Sequence, residues 1–324
     1  MTELPRVAVL MGGPSSEHDI SLKSGRGVVE ALARRHWTAE AVEIPRTRSV
    51  EEVCSVVKTE LKRLGTEVAF IALHGTFGED GTIQQLCQQL QIAYTGSTAA
   101  ASRLGMDKAA SRQRFEQVGL TVPRWHSVDF TPGQSAVRIQ PERFTYPVVV
   151  KPSSQGSSIG VSLVQRPETL QAALASAAQY GPHVLIEEFV VGRELTVGVL
   201  GDQALPVVEI KPHHMFFDFS AKYTAGSTEY LVPAPLPSRV AKAVQAAGLA
   251  AHRALGCRHL SRTDVILQAD NTPVILEVNT IPGFTPTSLL PKAAGCIGIS
   301  YDDLCEQLVK MAWQGSTRLA RAAS

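Results

Sequence analysis

The sequence lacks several features that would place it in a class at once. Its five cysteines, at positions 54, 87, 257, 296 and 305, are odd in number and contain no CxxC pair. That argues against a disulfide framework or a zinc-finger spacing and reads as reduced, structural thiols in a cytoplasmic protein. Net charge is nearly absent: Lys and Arg number 31 against 30 Asp and Glu, giving +1. No basic field is available to draw nucleic acid or an anionic membrane. The longest N-terminal apolar run, residues 7–11, is too short for a signal segment or a membrane span. There is no internal repeat, which argues against a solenoid. The glycine turn at 12–17, GGPSSE, is not GxGxxG, so an NAD-type dehydrogenase is poorly supported.

What is present is a soluble globular composition, 44% hydrophobic and 19% charged over 324 residues, enough for two or three domains. The first apolar run, 6–11, leads through that glycine turn into a helix expected at 19–35. Strand, glycine turn and helix open a doubly wound α/β domain. Strands at 37–44 and 68–73 and helices at 50–64 and 82–90 continue it. Glu17 and His74 then fall at carboxyl ends of strands, where such sheets bind ligands; a solvated loop acid and a structural histidine are the alternatives. Gly105 to Lys108 opens a helix to Gln117, and the composition shifts near residue 105. Residues 131–142 read as a loop.

The strand 146–152 ends in Lys151 and is followed by the loop Ser153 to Gly160, SSQGSSIG, then a strand at 161–164. Such a loop offers many N–H groups to phosphates, with Lys151 at its base. It is not a Walker A loop, because the lysine precedes the glycines and β structure follows. A flexible Ser/Gly hairpin is the alternative. A helix is expected at 168–180. Glu187 and Glu194 lie inside apolar strands and need partners: ribose hydroxyls and an adenine amino group, or Lys and Arg. Residues 211–229 lack periodicity but contain His213, His214, Phe216, Phe217, Lys222 and Tyr223, which reads as a lid over substrate. A helix capped by Ser238 runs to 255. Ser300 with Asp303 reads as a capping box for a last helix ending near Trp313, with a loose tail after Gly315.

Between these helices, apolar runs at 263–268 and 273–280 flank Ala269 to Thr272, a hairpin pattern. A four-residue loop sets Gln268 opposite Pro273, Asp264 opposite Glu277 and Arg262 opposite Asn279. Facing carboxylates repel. A divalent cation would turn that repulsion into binding, and these oxygen donors suit Mg²⁺ bridging to phosphates. Arg262 beside them suits a phosphoryl group. A polar outer face on a half-exposed hairpin is the alternative.

Eight motifs in order carry a resemblance: GGPSSEHDISL, LHGTFGEDGTIQ, MDKAASR, VVVKPSSQGSSIGV, LIEEFVVGRELTV, FDFSAKYTAGSTEY, RTDVIL and LEVNTIPGFTPTSLLP. Together they resemble the D-alanine–D-alanine ligases of the ATP-grasp superfamily across nearly the whole chain. The resemblance implies an N-terminal doubly wound α/β domain, residues 1–105, followed by a two-part ATP-grasp fold at 106–187 and 188–324, with the lid at 211–229. It implies a cytoplasmic homodimer joining two D-alanines through an acylphosphate for peptidoglycan precursors. ATP is the co-substrate, and two Mg²⁺ or Mn²⁺ ions are held by Asp264, Glu277 and Asn279. Lys108, Lys151 and Ser158 match phosphate binders; Glu187 and Glu194 match adenine and ribose contacts. Arg262 and the Gly283 N–H match stabilisers of the phosphoryl group and the oxyanion. Glu17, with His74 beside it, matches the site of the first D-alanine, and Ser157 and Tyr223 link with Glu17 to latch the lid. Lys222 and Ser288 match contacts to phosphate and to the second carboxylate. Departures are Pro286-Thr287 in place of Ser-His, Lys211, and the paired His213-His214; they bear on acceptor choice more than on the reaction. The other readings are a ligase of the same fold using D-lactate or D-serine as acceptor, and a non-catalytic nucleotide-binding regulator.

Overall fold

A computed structural model describes residues 4–46, 49–130, 144–212 and 228–322. The loop expected at 131–142 and most of the 211–229 segment, with His213, His214, Lys222 and Tyr223, lie outside the described residues.

The amino-terminal strands β1 (Val7–Gly12), β2 (Ala39–Ile44), β3 (Val68–Ile71) and β4 (Ala93–Tyr94) pair in parallel in the order β2-β1-β3-β4. The apolar runs of β1, β3 and β4 follow from burial on both faces, whereas edge strand β2 is half exposed. Val7, Val9 and Met11 pack with Val28 and Leu32 of helix α1 (His18–Arg34). Ala8 and Leu10 pack with Val53, Val57 and Leu61 of α2 (Val50–Arg63). The alternation is the strand period of two, so one strand feeds two cores. Helix α3 (Thr82–Gln89) follows the third strand.

Helix α4 (Ala99–Met106) was not foreseen, and Gly105 lies inside it rather than opening the next helix. The chain breaks at Asp107 (φ −83, ψ 101). That residue ends α4 and caps α5 (Lys108–Gln117), its Oδ1 accepting from the N–H groups of Ala109 at 3.0 Å and Ala110 at 3.1 Å.

A second sheet, antiparallel in the order β5-β8-β6-β7, contains β5 (Trp125–Asp129), β6 (Val148–Pro152), β7 (Ser162–Val164) and β8 (His183–Glu188). It is covered by α6 (Leu170–Ala178). The helix expected from 168 begins as a 3-10 turn, Pro167–Thr169, with proline setting its first residue.

A third sheet has the order β12-β11-β9-β13-β14, with β10 (Gln203–Ala204) paired to β9. Its strands are β9 (Arg193–Leu200), β11 (Val208–Pro212), β12 (Thr228–Leu231), β13 (Leu260–Leu267) and β14 (Pro273–Asn279). Helix α7 (Ser238–Ala254) packs on it through Val244 and Ala251, against Val197 and Val265. Ser238 does not cap α7 as expected. Pro237 (φ −55, ψ 141) holds the cap position, and Ser238 is already in the first turn.

The hairpin keeps the expected register only at its functional end. Arg262 faces Asn279 and Asp264 faces Glu277, but Val265 faces Ile275 and Leu267, not Gln268, faces Pro273. The turn holds five residues, closed by the Gln268 N–H on the Thr272 carbonyl at 3.0 Å, with Asn271 left-handed (φ 67). A bulge at Leu276 absorbs the added residue and leaves the polar pairs in place.

After α8 (Leu289–Gly295), the last helix, α9 (Tyr301–Ala322), returns to the amino-terminal sheet. Ser300 Oγ accepts from the Asp303 N–H at 3.1 Å, the expected cap. The helix does not stop near Trp313: Gly315 is carried inside it. Leu304, Leu308, Val309 and Ala312 join the core formed by β1 and α1, so this docking helps sustain the helix.

Buried histidines give this fold a pH dependence, and His252 is one of them. His252 on α7 is 2% exposed, and its Nδ1 lies 2.7 Å from Ser261 Oγ. Burial pushes its pKa down to about 4, against the pull of Asp202. The unfolded chain therefore takes up a proton near pH 6.5 that the folded chain refuses until about pH 4. Stability from this group is full above pH 6.5 and falls by ~1.4 kcal/mol per pH unit as pH drops through that window. His252→Asn should flatten the pH dependence of the urea midpoint between pH 7 and 4.5 relative to the parent protein. Parallel curves for the two proteins would contradict this assignment.

Candidate active site

The centre of the site is the functional end of the β13–β14 hairpin. Strand pairing puts the Asp264 and Glu277 carboxylates opposite one another, and two cations answer them. Arg262, two residues along β13 on the same face, forks onto Asp264: Nε to Oδ1 and Nη2 to Oδ2, both 2.8 Å. Asn279 Nδ2 donates to the same Oδ2 at 3.1 Å. Lys108 Nζ stands 3.4 Å from Glu277 Oε2. Burial opposes the charge on Arg262, but Asp264 and Glu277 more than offset it and hold the guanidinium charged.

Among the described residues no three His, Cys, Asp or Glu side chains converge on a metal cage. The donors here are two carboxylates and one amide, whose Oδ1 remains after Nδ2 bonds Asp264. An all-oxygen set that leaves positions for phosphate and water fits Mg²⁺ or Mn²⁺.

A cavity of about 630 Å³ runs from this hairpin between the second and third sheets, lined by Lys108, Lys151, Ser158, Glu187, Glu194, Asp264 and Glu277 among others. Val149, Ile266 and Leu276 give it apolar walls, and Lys211 also lines it. Asp107 organises the end of the cavity that holds Lys108 and the Ser/Gly loop. The carboxylate that caps α5 also accepts from Ser153 Oγ at 3.1 Å, and the Lys108 N–H donates to the Ser153 carbonyl at 3.0 Å. Lys108 Nζ reaches over to the Gln155 carbonyl. The first lysine is thereby tied to the Ser/Gly loop. Within that loop Ser157 (φ 52) and Ser158 (φ 58) are consecutive left-handed residues, a strain typical of ligand loops. Ser158 lines the cavity, and Ser157 is not part of its wall.

Glu187 is 3% exposed and finds its partners in the protein. Arg112 donates to its Oε1 from Nε at 2.9 Å and Nη2 at 2.6 Å, and Lys151 Nζ lies 2.7 Å from Oε2. Burial alone would raise the Glu187 pKa, but Arg112 and Lys151 reverse that and lower it. Burial pulls Lys151 down despite Glu187. Arg112 was not singled out from the sequence. Its signal was the spacing, one helical turn after Lys108 on the same face.

The second half of the site lies at the carboxyl edge of the parallel sheet. Gly12 and Gly13 (φ +86 and +87) turn the chain after β1, and a Cβ on Gly12 would meet the Ile44 carbonyl at 2.6 Å. The turn delivers Glu17 to Gly75 (φ +67), where an added Cβ would come 3.1 Å from Glu17 Oε2. His74 is 3% exposed. Its Nδ1 donates to the Ile281 carbonyl at 3.3 Å, and its Nε2 accepts from Ser24 Oγ at 3.1 Å. Burial lowers its pKa, against the pull of Glu17, which fits this neutral, doubly bonded ring. Ser288 Oγ accepts from the Thr285 N–H at 3.0 Å and lies 3.3 Å from where a Cβ on Gly283 would be.

Glu79 was also missed. Its Oε1 accepts from the Gly75 N–H at 3.0 Å. Burial, then the nearby Glu17 charge, pushes its pKa up to about 8. With Lys108, Glu277 and Asn279 it lines a small recess of about 20 Å³. An acid inside a glycine loop at a strand's carboxyl end was the available signal. Lys222 and Tyr223 lie outside the described residues, so the expected link of Tyr223 to Glu17 and Ser157 has no geometry here.

The D-ala D-ala ligase N-terminus family matches residues 45–97, and the D-ala D-ala ligase C-terminus family matches residues 115–310. The chain is 44% identical over 304 residues to a D-alanine–D-alanine ligase of Anaeromyxobacter dehalogenans (strain 2CP-C), covering 94% of this chain and 96% of that one. It is 44% identical over 307 residues to one from Geotalea uraniireducens (strain Rf4), covering 95% of each. The crystal structure of D-alanine–D-alanine ligase from Bacillus anthracis complexed with ATP matches with a TM-score of 0.83 at 29% identity, over 97% of this chain and 99% of that one. Likeness of this extent, covering both halves of the site, makes the chain a member of the D-alanine–D-alanine ligase family.

Proposed function

We propose that this chain is an ATP-dependent ligase that joins two D-alanines into D-alanyl-D-alanine through an acylphosphate, supplying peptidoglycan precursor synthesis. The observation that carries the reading is the opposed pair Asp264 and Glu277, with Arg262 beside them, at the end of a cavity floored by Lys108 and Lys151. The same proposal includes Mg²⁺ or Mn²⁺, two ions, at Asp264, Glu277 and Asn279, and a homodimer acting in the cytoplasm. It also includes the division into units 1–105, 106–187 and 188–324.

In this reading ATP lies between the two antiparallel sheets. Its base rests on Val149, Ile266 and Leu276, and Glu194 serves the ribose. Its phosphates lie under Ser158 with Lys108 and Lys151. Glu187 acts through Lys151, since Arg112 and Lys151 already occupy its carboxylate. Glu17 holds the first D-alanine by its ammonium, which aims the carboxylate at the γ-phosphorus. A carboxylate oxygen attacks, the bond to ADP breaks, and Arg262 neutralises the equatorial oxygens. The amine of the second D-alanine, its carboxylate held at Ser288, then attacks the acyl carbon. The Gly283 N–H receives the oxyanion, and phosphate leaves. Bound divalent cations would supply charge neutralisation at the β- and γ-phosphates.

Two experiments check this. The first is phosphate release from ATP across D- and L-amino acids and D-lactate at pH 6 to 9, with products separated by mass. D-Alanine should drive release, with dipeptide output rising with pH as the acceptor amine loses its proton. Depsipeptide as the main product from equal D-alanine and D-lactate at neutral pH would overturn the acceptor. ATP binding without turnover would favour a regulator. The second is Glu277→Gln, which keeps shape and removes one charge. Turnover at ordinary Mg²⁺ should fall about a hundredfold, and Mn²⁺ should bind more weakly. Near-parental turnover and Mn²⁺ affinity would contradict the metal assignment.

A further inference from the structure

We infer that Tyr301 is a positioning residue for acyl transfer: from the first turn of the last helix it braces residues 281–285, and so the Gly283 N–H, against the amino-terminal sheet. The inference rests on the reading of Gly283 as the oxyanion donor.

The segment after β14 is tied to itself at Thr285 and Ser288, beyond Gly283. It contains Pro282, it has left the ladder, and Gly283 brings no side chain to anchor it. The carbonyls on either side of Gly283 are instead captured from outside the hairpin. His74 Nδ1 donates to Ile281 O at 3.3 Å, and Tyr301 Oη donates to Phe284 O at 2.8 Å. Between these bonds the Phe284 ring is plugged into the core between Phe70 of β3 and Tyr301, each centroid 5.6 Å away. Two carbonyls and one ring therefore fix the peptide that presents the Gly283 N–H.

Tyr301 is itself rooted in the amino-terminal unit. The next residue, Asp302, takes a fork from Arg34 of α1, with both bonds 2.8 Å. Arg35 pairs with Asp303, and Trp37 Nε1 donates to Glu306 at 3.1 Å. Residue 27 of α1 is glycine where the brace passes: a Cβ there would come 3.0 Å from Tyr301 Oη and 3.5 Å from Pro286. Burial, then Cys305, raises the Tyr301 pKa, so the hydroxyl keeps the proton it donates. Tyr301 is not placed to touch ATP or amino acid in this reading; it acts through Phe284 and Gly283.

The test is Tyr301→Phe, which keeps the ring and deletes only the hydroxyl. Amide exchange of a peptide covering 281–288 is read by mass spectrometry, with kcat and the KM for ATP measured in parallel. Losing one buried hydrogen bond should speed exchange of that peptide and lower kcat, each roughly five- to tenfold. The KM for ATP and the exchange of the β1 peptide 7–12 should not change. A purely structural role would instead raise exchange in both peptides or lower the melting temperature with kcat intact. Arg34→Gln, which loosens the root while leaving the site untouched, should shift both readouts in the same direction by less. Unchanged exchange at 281–288 in Tyr301→Phe overturns the proposal, as does unchanged kcat. If the parent protein makes no dipeptide, the ligase reading fails on its own. The exchange result then decides the brace by itself: faster exchange supports it and equal exchange removes it.

Discussion

Two carboxylates set opposite each other on one hairpin face are the constraint around which the site is built. Left alone they repel, and their strands would pair less well for it. Arg262 is supplied by the strand that carries Asp264. Lys108 arrives from helix α5, and its arrival depends on Asp107, which breaks the chain after α4, caps α5 and bonds Ser153. The repulsion is thus answered by cations placed through local chain geometry. The groups that neutralise it are the ones a nucleotide triphosphate would engage. Both Asp264 oxygens accept from Arg262, so under the proposed metal assignment a divalent ion would share that carboxylate with the guanidinium through its remaining lone pairs.

A similar logic holds deeper in the cavity. Arg112, Glu187 and Lys151 form a buried triad in which one carboxylate serves two cations. Such networks are weak arguments for stability, because desolvation costs about what the attraction returns. Their use here is orientation. Glu187 pins Lys151 at the base of the Ser/Gly loop and ties helix α5 to β8, while Arg112 also donates to the Ile275 carbonyl of β14. The second sheet, the third sheet and the helix between them share one charged contact, which keeps the lysines in register with the hairpin.

The sequence was most informative where chemistry and period coincide. Asp264 with Glu277 and Arg262 with Asn279 were paired from alternation and an assumed four-residue loop, and the pairs hold because the bulge offsets the longer turn. Strands β1 and β3 were visible as apolar runs, whereas the two-residue β4 was not foreseen. The bulge at Leu276 was not visible. A four-residue and a five-residue turn look alike in composition, and the structure absorbs the difference where no polar pair is disturbed. Helix α4 was hidden because Asp107 both ends it and starts the next, and because Gly105, read as the opening of that next helix, is carried inside α4. Arg112 and Glu79 were passed over because their partners are 75 residues away in one case and set by burial in the other. The partner of Ile281, 207 residues distant, is likewise beyond any local pattern.

The central claim is that the first substrate's carboxylate attacks the γ-phosphate and that phosphate leaves on amide formation. It is tested most directly by D-alanine labelled with ¹⁸O in its carboxylate, incubated with ATP, Mg²⁺ and the protein. The oxygen that bridges carbon and phosphorus in the acylphosphate departs with the phosphate. The account predicts one labelled oxygen in each phosphate released per dipeptide formed, with AMP absent and ADP unlabelled. Unlabelled phosphate alongside dipeptide, or label recovered in AMP, would contradict it.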